Sequence, residues 1–154
     1  MKATNPHPAG GIRATGLIDA ENLTIWSGHR LPPATAATVF DEVDAYVTGL
    51  PATAALAPSL LAPYVPLFAA RGWSIDMVAP GPDAADLALL ARARFAVERG
   101  CTDLVIVSGD GIFAELAGQA RLHVVSHRDR LSRKLAGVAD TVSYLTSGVA
   151  PMAA

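Results

Sequence analysis

Cysteine is nearly absent from this chain. Cys101 stands alone, so no internal disulfide can form and no cysteine cluster can hold zinc. Its simplest role is that of a small core-filling residue, and a reducing, cytoplasmic compartment suits it. Charge is also scarce: 17% of residues are charged against 51% hydrophobic, which excludes disorder of the whole chain. The net charge of −2 leaves no overall attraction for nucleic acid, so any such binding must come from a local patch. The opening residues, MKATNPHPAGGIR, lack the apolar segment of a signal peptide. The stretch Val47 to Ala70 carries no charge and has the length of a membrane span. However, Pro51, Pro58, Pro63 and Pro66 interrupt it, and hydrocarbon cannot satisfy the carbonyls they free. No membrane insertion is expected. There is no HExxH, no GxSxG, and no GxGxxG or Walker-type loop after the first strand. Zinc hydrolase, serine hydrolase and nucleotide-cofactor chemistry are therefore disfavoured.

What is present alternates between strands and helices. Apolar runs predict strands at Ala14 to Ile18, Ala52 to Ala57, Leu104 to Val107, Leu122 to Ser126 and Val142 to Leu145, with a half-wet edge strand at Trp73 to Val78. Helices are predicted at Pro33 to Val47, Leu60 to Ala70 (closed by Gly72), Asp83 to Arg99 (stopped by Gly100), Gly111 to Ala117 and Ser132 to Ala139. On the third of these, Leu87, Leu90, Ala91, Arg94 and Val97 trace the faces. The expected architecture is α/β, a three-layer sandwich around a mostly parallel sheet. Residues 1–12 read as a Pro/Gly leader containing His7, residues 13–146 as one domain, and 147–154 as a mobile tail.

Acidic residues recur where strands give way to helices: Asp19 in GLIDAEN, Asp83 and Asp86 in PGPDAADL, Asp110 in VIVSGDGIF. In a parallel α/β sheet all such junctions open on one rim, the usual ligand rim. Gathered carboxylates repel unless a cation sits among them, and oxygen donors of this kind suit Mg²⁺ or Mn²⁺. Each acid also has a local explanation. Asp19 fits an Asx-turn or helix cap, Asp83 and Asp86 imitate a capping box, and Asp110 fits an N-cap. Asn22 and Ser108 are placed to orient a phosphate, and Gly109 leaves backbone open to a phosphate oxygen. His127, just past a strand, is the one histidine able to face the rim. The cluster His127, Arg128, Arg130, Arg133 and Lys134 begins on the same rim and is suited to a nucleic-acid backbone, or equally to a solvated face. A phosphatase with Asp19 as nucleophile is unattractive, because Glu21 stands where a second Asp is usual.

GLIDAEN, GPDAADLALL, DLVIVSGDGIF, HVVSH and LSRKLAGVADTVSYL, in that order from Gly16 to Leu145, resemble the NYN domain, a branch of the PIN-like nucleases. The resemblance implies strand order 3-2-1-4-5, with Asp19 and Asp110 facing across the switch point and Asp86 joining from a neighbouring helix. It further implies a Mg²⁺- or Mn²⁺-dependent ribonuclease, with Asp19, Asp86 and Asp110 as metal-binding and catalytic residues. RNA would be held by Asn22, Ser108, Arg128, Arg130, Arg133 and Lys134. One departure stands out: the family's SGDxDF reads SGDGIF here, with Ile112 in place of an acid. Asp83, Glu115 or Asp140 would have to supply the missing carboxylate, Asp140 matching an AD pair late in the family pattern. Otherwise the site holds only one metal ion, weakly, or has lost activity and leaves a binding module for RNA or protein. The stretch around Leu50 to Pro66 would also permit a homodimer.

Overall fold

The computed structural model describes residues 13–148. The predicted leader, His7 included, and residues 149–154 of the predicted tail lie outside the described residues. Strand β1 (Ala14–Asp19) runs into a single-turn helix α1 (Ala20–Thr24) and a small hairpin, β2 (Ile25–Trp26) with β3 (His29–Arg30). Helix α2 (Pro33–Val47) follows, then β4 (Ala52–Leu56), α3 (Pro58–Arg71), β5 (Ser74–Met77) and α4 (Ala84–Glu98). Strand β6 (Asp103–Val107), a 3₁₀ segment (Gly111–Leu116), β7 (Arg121–Ser126), α5 (Arg133–Val138) and β8 (Thr141–Tyr144) complete the described chain.

Six strands form one sheet in the order β5-β4-β1-β6-β7-β8, and every pairing is parallel. Counted along this sheet the order is 3-2-1-4-5-6, which is the expected order with an added edge strand. Alternating side chains send the central strands into two cores. Ile18, Val107 and Leu56 meet Val39, Phe40, Tyr64 and Phe68 of α2 and α3. Leu17, Ala55 and Ile106 meet Leu89 and Leu90 of α4, Phe113, and Leu135 of α5. The molecule is thus a three-layer α/β sandwich. Gly16 lets α2 close on β1, since a Cβ there would sit 2.8 Å from Val47 Cγ1.

The uncharged run 47–70 becomes β4 and most of α3, and no described helix is long and apolar enough to cross a membrane. Both α2 and α3 start with proline in the first turn, where no donor is missed. Pro63 and Pro66 lie inside α3. Ser59 and Ala62, whose carbonyls lose their donors, lie on the exposed side of the helix. Two details differ from expectation. The predicted helix at Gly111 to Ala117 is a 3₁₀ segment. On α4 the buried face is Ala85, Asp86, Leu89, Leu90 and Ala93, while Leu87 stands 57% exposed.

Candidate functional site

The sheet order reverses between β1 and β6, and the carboxyl ends of these two strands carry Asp19 and the Ser108–Asp110 turn. A cleft for ligands forms outside such a switch point. Helix α4 crosses the sheet against β1 and β4, which brings Asp86 from its first turn to the same place. Asp19 is 3% and Asp86 8% exposed, so both carboxyls sit in the interior next to the rim.

Each acid has a defined neighbourhood. Asp19 Oδ2 accepts from Ser108 Oγ at 2.8 Å, and its Oδ1 accepts from the Asn22 amide at 3.2 Å. Burial pushes the Asp19 carboxyl above the ordinary carboxylate range, and the charge of Asp110 adds to this. Asp86 is pushed up to about 8, first by burial and then by the charges of Asp19 and Asp110. Asp86 therefore keeps its proton at neutral pH and shares it with Asp19. Asp110 Oδ1 accepts from the Ile112 amide at 2.9 Å, capping the 3₁₀ segment. Glu21, half buried, is also raised by burial and by the Asp19 charge. Four carboxyls thus feel one another at this rim. Among the described residues no three His, Cys, Asp or Glu side chains are drawn into ligand geometry.

Neither a family model nor a curated protein matches the chain. A solved structure does. The crystal structure of a protein of unknown function from Vibrio parahaemolyticus is similar over 95% of this chain and 97% of that one, with a TM-score of 0.64 and 14% identity. At that identity the likeness concerns the fold alone.

Several residues expected at the site take different roles. Ser108, 1% exposed, donates to Asp19 and accepts from the Asp110 amide at 3.1 Å, so it positions the acids rather than meeting a phosphate. Asn22 is a staple: its Oδ1 accepts from the Gly109 amide at 3.1 Å, and its carbonyl accepts from Arg130 Nη1 at 2.5 Å. Gly109 is required by packing, not by phosphate approach, because a Cβ there would run into the Arg130 carbonyl. Arg130 is half buried, donates also to the Ile25 carbonyl, and lies 4.7 Å over the Trp26 ring. Its guanidinium is committed to the fold. Arg128, Arg133 and Lys134 remain exposed. Arg128 lies 4.0 Å over Tyr144, and Gly111 packs beneath Ser132 and Lys134, which sets Lys134 beside the Asp110 turn.

The candidates for an extra carboxylate fail. Asp140 precedes β8, and its carboxyl accepts from the Leu122 amide at 2.8 Å near the start of β7. That is the opposite rim. Asp83 takes a left-handed φ of 63°, is exposed, and makes no side-chain cap, so the capping-box reading also fails. Glu115 is exposed and pairs with Arg94 at 3.3 Å. Ile112 packs on the α4-side core. His127 is 1% exposed: its Nε2–H donates to the Ser147 carbonyl at 2.6 Å, and its ring stands edge-on to Trp26 at 4.9 Å. It does not face the acids. Sequence reading passed over Glu21 as a fourth carboxylate and missed the hairpin that carries Trp26. The Ser27-Gly28 dipeptide between Ile25-Trp26 and His29-Arg30 was the available signal.

Proposed function

We propose that the chain is a Mg²⁺- or Mn²⁺-dependent ribonuclease that hydrolyses RNA phosphodiester bonds at the carboxyl rim of its sheet. The observation that supports this reading is the convergence of Asp19, Asp86 and Asp110 at the switch point, where burial and then the neighbouring charges push Asp86 up to about 8. The donor chemistry fits a hard divalent cation: the retained proton neutralises a cluster that such a cation would neutralise instead. Asp19, Asp86 and Asp110 would hold it, with Glu21 nearby. Bound there, the ion supplies activation of water and stabilisation of charge on the leaving oxygen. The protein's own part is positional. Ser108 and Asn22 fix the Asp19 carboxylate and the turn bearing Asp110, while Arg128, Arg133 and Lys134 offer positive charge to flanking phosphates.

The test is cleavage of end-labelled single-stranded RNA in Mn²⁺, Mg²⁺ or EDTA. Cutting is expected with either metal, none in EDTA, and background only for Asp110→Asn. A variant that cuts as fast as its parent would sink this reading. Ile112 favours a second one, a PIN-like module that binds RNA or a protein partner without cutting, because an apolar side chain packed on the core stands where the resembled family carries an acid. RNA retained in a gel shift by both proteins, with no product from either, would establish that alternative.

A further inference from the structure

A cavity of about 310 Å³ opens at the other end of the sheet, between the amino-terminal ends of β1, β4 and β5 and the last turns of α4. Its size is at the lower end of the range for small-ligand pockets. Its floor is a row of hydroxyls on three neighbouring strands: Thr15, Thr53 and Ser74. Its walls include Arg13, Phe95 and Arg99.

The charges here are unequal. Arg92, also at the cavity, is neutralised by Asp76 through two bonds of 2.9 and 2.8 Å. Arg13 and Arg99 have no carboxylate within ion-pair distance among the described residues. Their guanidinium groups are nonetheless held: Arg13 Nη1 donates to the Arg99 carbonyl at 2.9 Å, and Arg99 lies 5.1 Å over the Phe95 ring. Residues 1–12, which lead into Arg13, contain Lys2 and neither Asp nor Glu, so they bring no side-chain counter-charge. Thr53 adds a second and independent observation. It is 6% exposed and lines the cavity, so the little of it that meets solvent does so there. Thr15 spends its proton on the Pro51 carbonyl at 3.0 Å.

We propose that this cavity binds a small phosphomonoester with a hydroxyl-bearing body, of the size of a phosphorylated pentose. The phosphate lies between Arg13 and Arg99, whose guanidinium groups suit its oxygens, and the body hydroxyls meet Thr53 and Ser74. The site is remote from the acids and independent of the nuclease reading, so either can fail without the other.

Titration calorimetry in EDTA, with ribose 5-phosphate, ribose and inorganic phosphate as probes, tests the site. Ribose 5-phosphate is expected to bind most tightly, inorganic phosphate more weakly, and ribose not measurably. Arg99→Gln is expected to weaken ribose 5-phosphate about tenfold or more, and Thr53→Val about threefold. Thr53→Val keeps a β-branched side chain in a buried strand, so its unchanged melting temperature would show that the loss is one of binding. Asp110→Asn should bind as the parent does. No heat at millimolar ligand, equal affinity in both cavity variants, or loss of binding in Asp110→Asn would each overturn the proposal.

Discussion

Asp86 holds its proton up to about pH 8, where an ordinary aspartate releases it at 3.8. Between those values the folded protein binds a proton that the unfolded chain gives up, so stability falls as pH rises across that window. The contribution is fully present below the lower value and lost above the upper one. Asn at this position is neutral at every pH. Asp86→Asn in EDTA is therefore expected to melt several degrees above the parent at about pH 9 and with little difference at about pH 5. An equal gain at both would mean that residue 86 carries no unfavourable charge. Mn²⁺ should raise the parent's melting temperature at the higher pH, where the proton is gone and the carboxylates repel, and leave the variant nearly unmoved. At this scale the sequence marked the acids that come together, because Asp19, Asp86 and Asp110 end strands or open a helix. It could not rank Asp86 above Asp83. Three positions along α4 separate burial under the sheet's rim from full exposure, and only the packed helix decides that. Asp140 was legible in principle, since an acid before a parallel strand lies on the rim opposite an acid after one.

Among the elements, the hairpin and the turn after β7 depend on each other through Arg130. Its guanidinium covers Trp26 and satisfies the Asn22 and Ile25 carbonyls. Arg130→Ala leaves those acceptors without donors and opens a gap beside the indole, a loss of about 2–4 kcal/mol in denaturant unfolding. Arg133→Ala with Lys134→Ala removes two exposed cations instead. That double variant is expected to keep the parent's melting temperature while lowering the salt slope of single-stranded RNA binding by about 1.4. A fall in stability for the double variant, or none for Arg130→Ala, would reverse these assignments. A run of basic residues in the sequence cannot distinguish the pinned arginine from the exposed ones. The larger elements were readable where punctuation was strong: Pro32 and Pro33 open α2, and Gly72, with φ 67°, closes α3. The β2–β3 hairpin was not, because strands of two residues have no period to detect.

For the molecule as a whole, Glu42 ties the last described residues to the body of the fold. Its carboxylate accepts from the amides and hydroxyls of Thr146 and Ser147 at 2.6–3.2 Å, and the Ser147 carbonyl then receives His127. Burial pulls the Glu42 carboxyl up, but these donors outweigh it and hold it below the usual value. Its contribution is present above the unfolded value of 4.5 and lost as pH falls through the folded one. Glu42→Gln is expected to lower the melting temperature near neutrality and much less at about pH 3. A uniform loss would argue against a charge-dependent tie. Alternation of strands and helices announced the α/β class, whereas strand order came only from the family resemblance, since alternation alone permits several orders.

Ser108 and Asp19 are 89 residues apart in the chain yet share a hydrogen bond. Strands β1, β4 and β5 can pair through successive local crossovers, but β6 reaches β1 only after everything between them has been laid down. Such a closure is slow for a parallel sheet. Asp110 joins Asp19 and Asp86 at that docking event and not before, so the repulsion it adds acts chiefly on how long the docked state lasts. Anything that quiets it, a cation or an asparagine, should prolong the life of the folded protein more than it hastens folding.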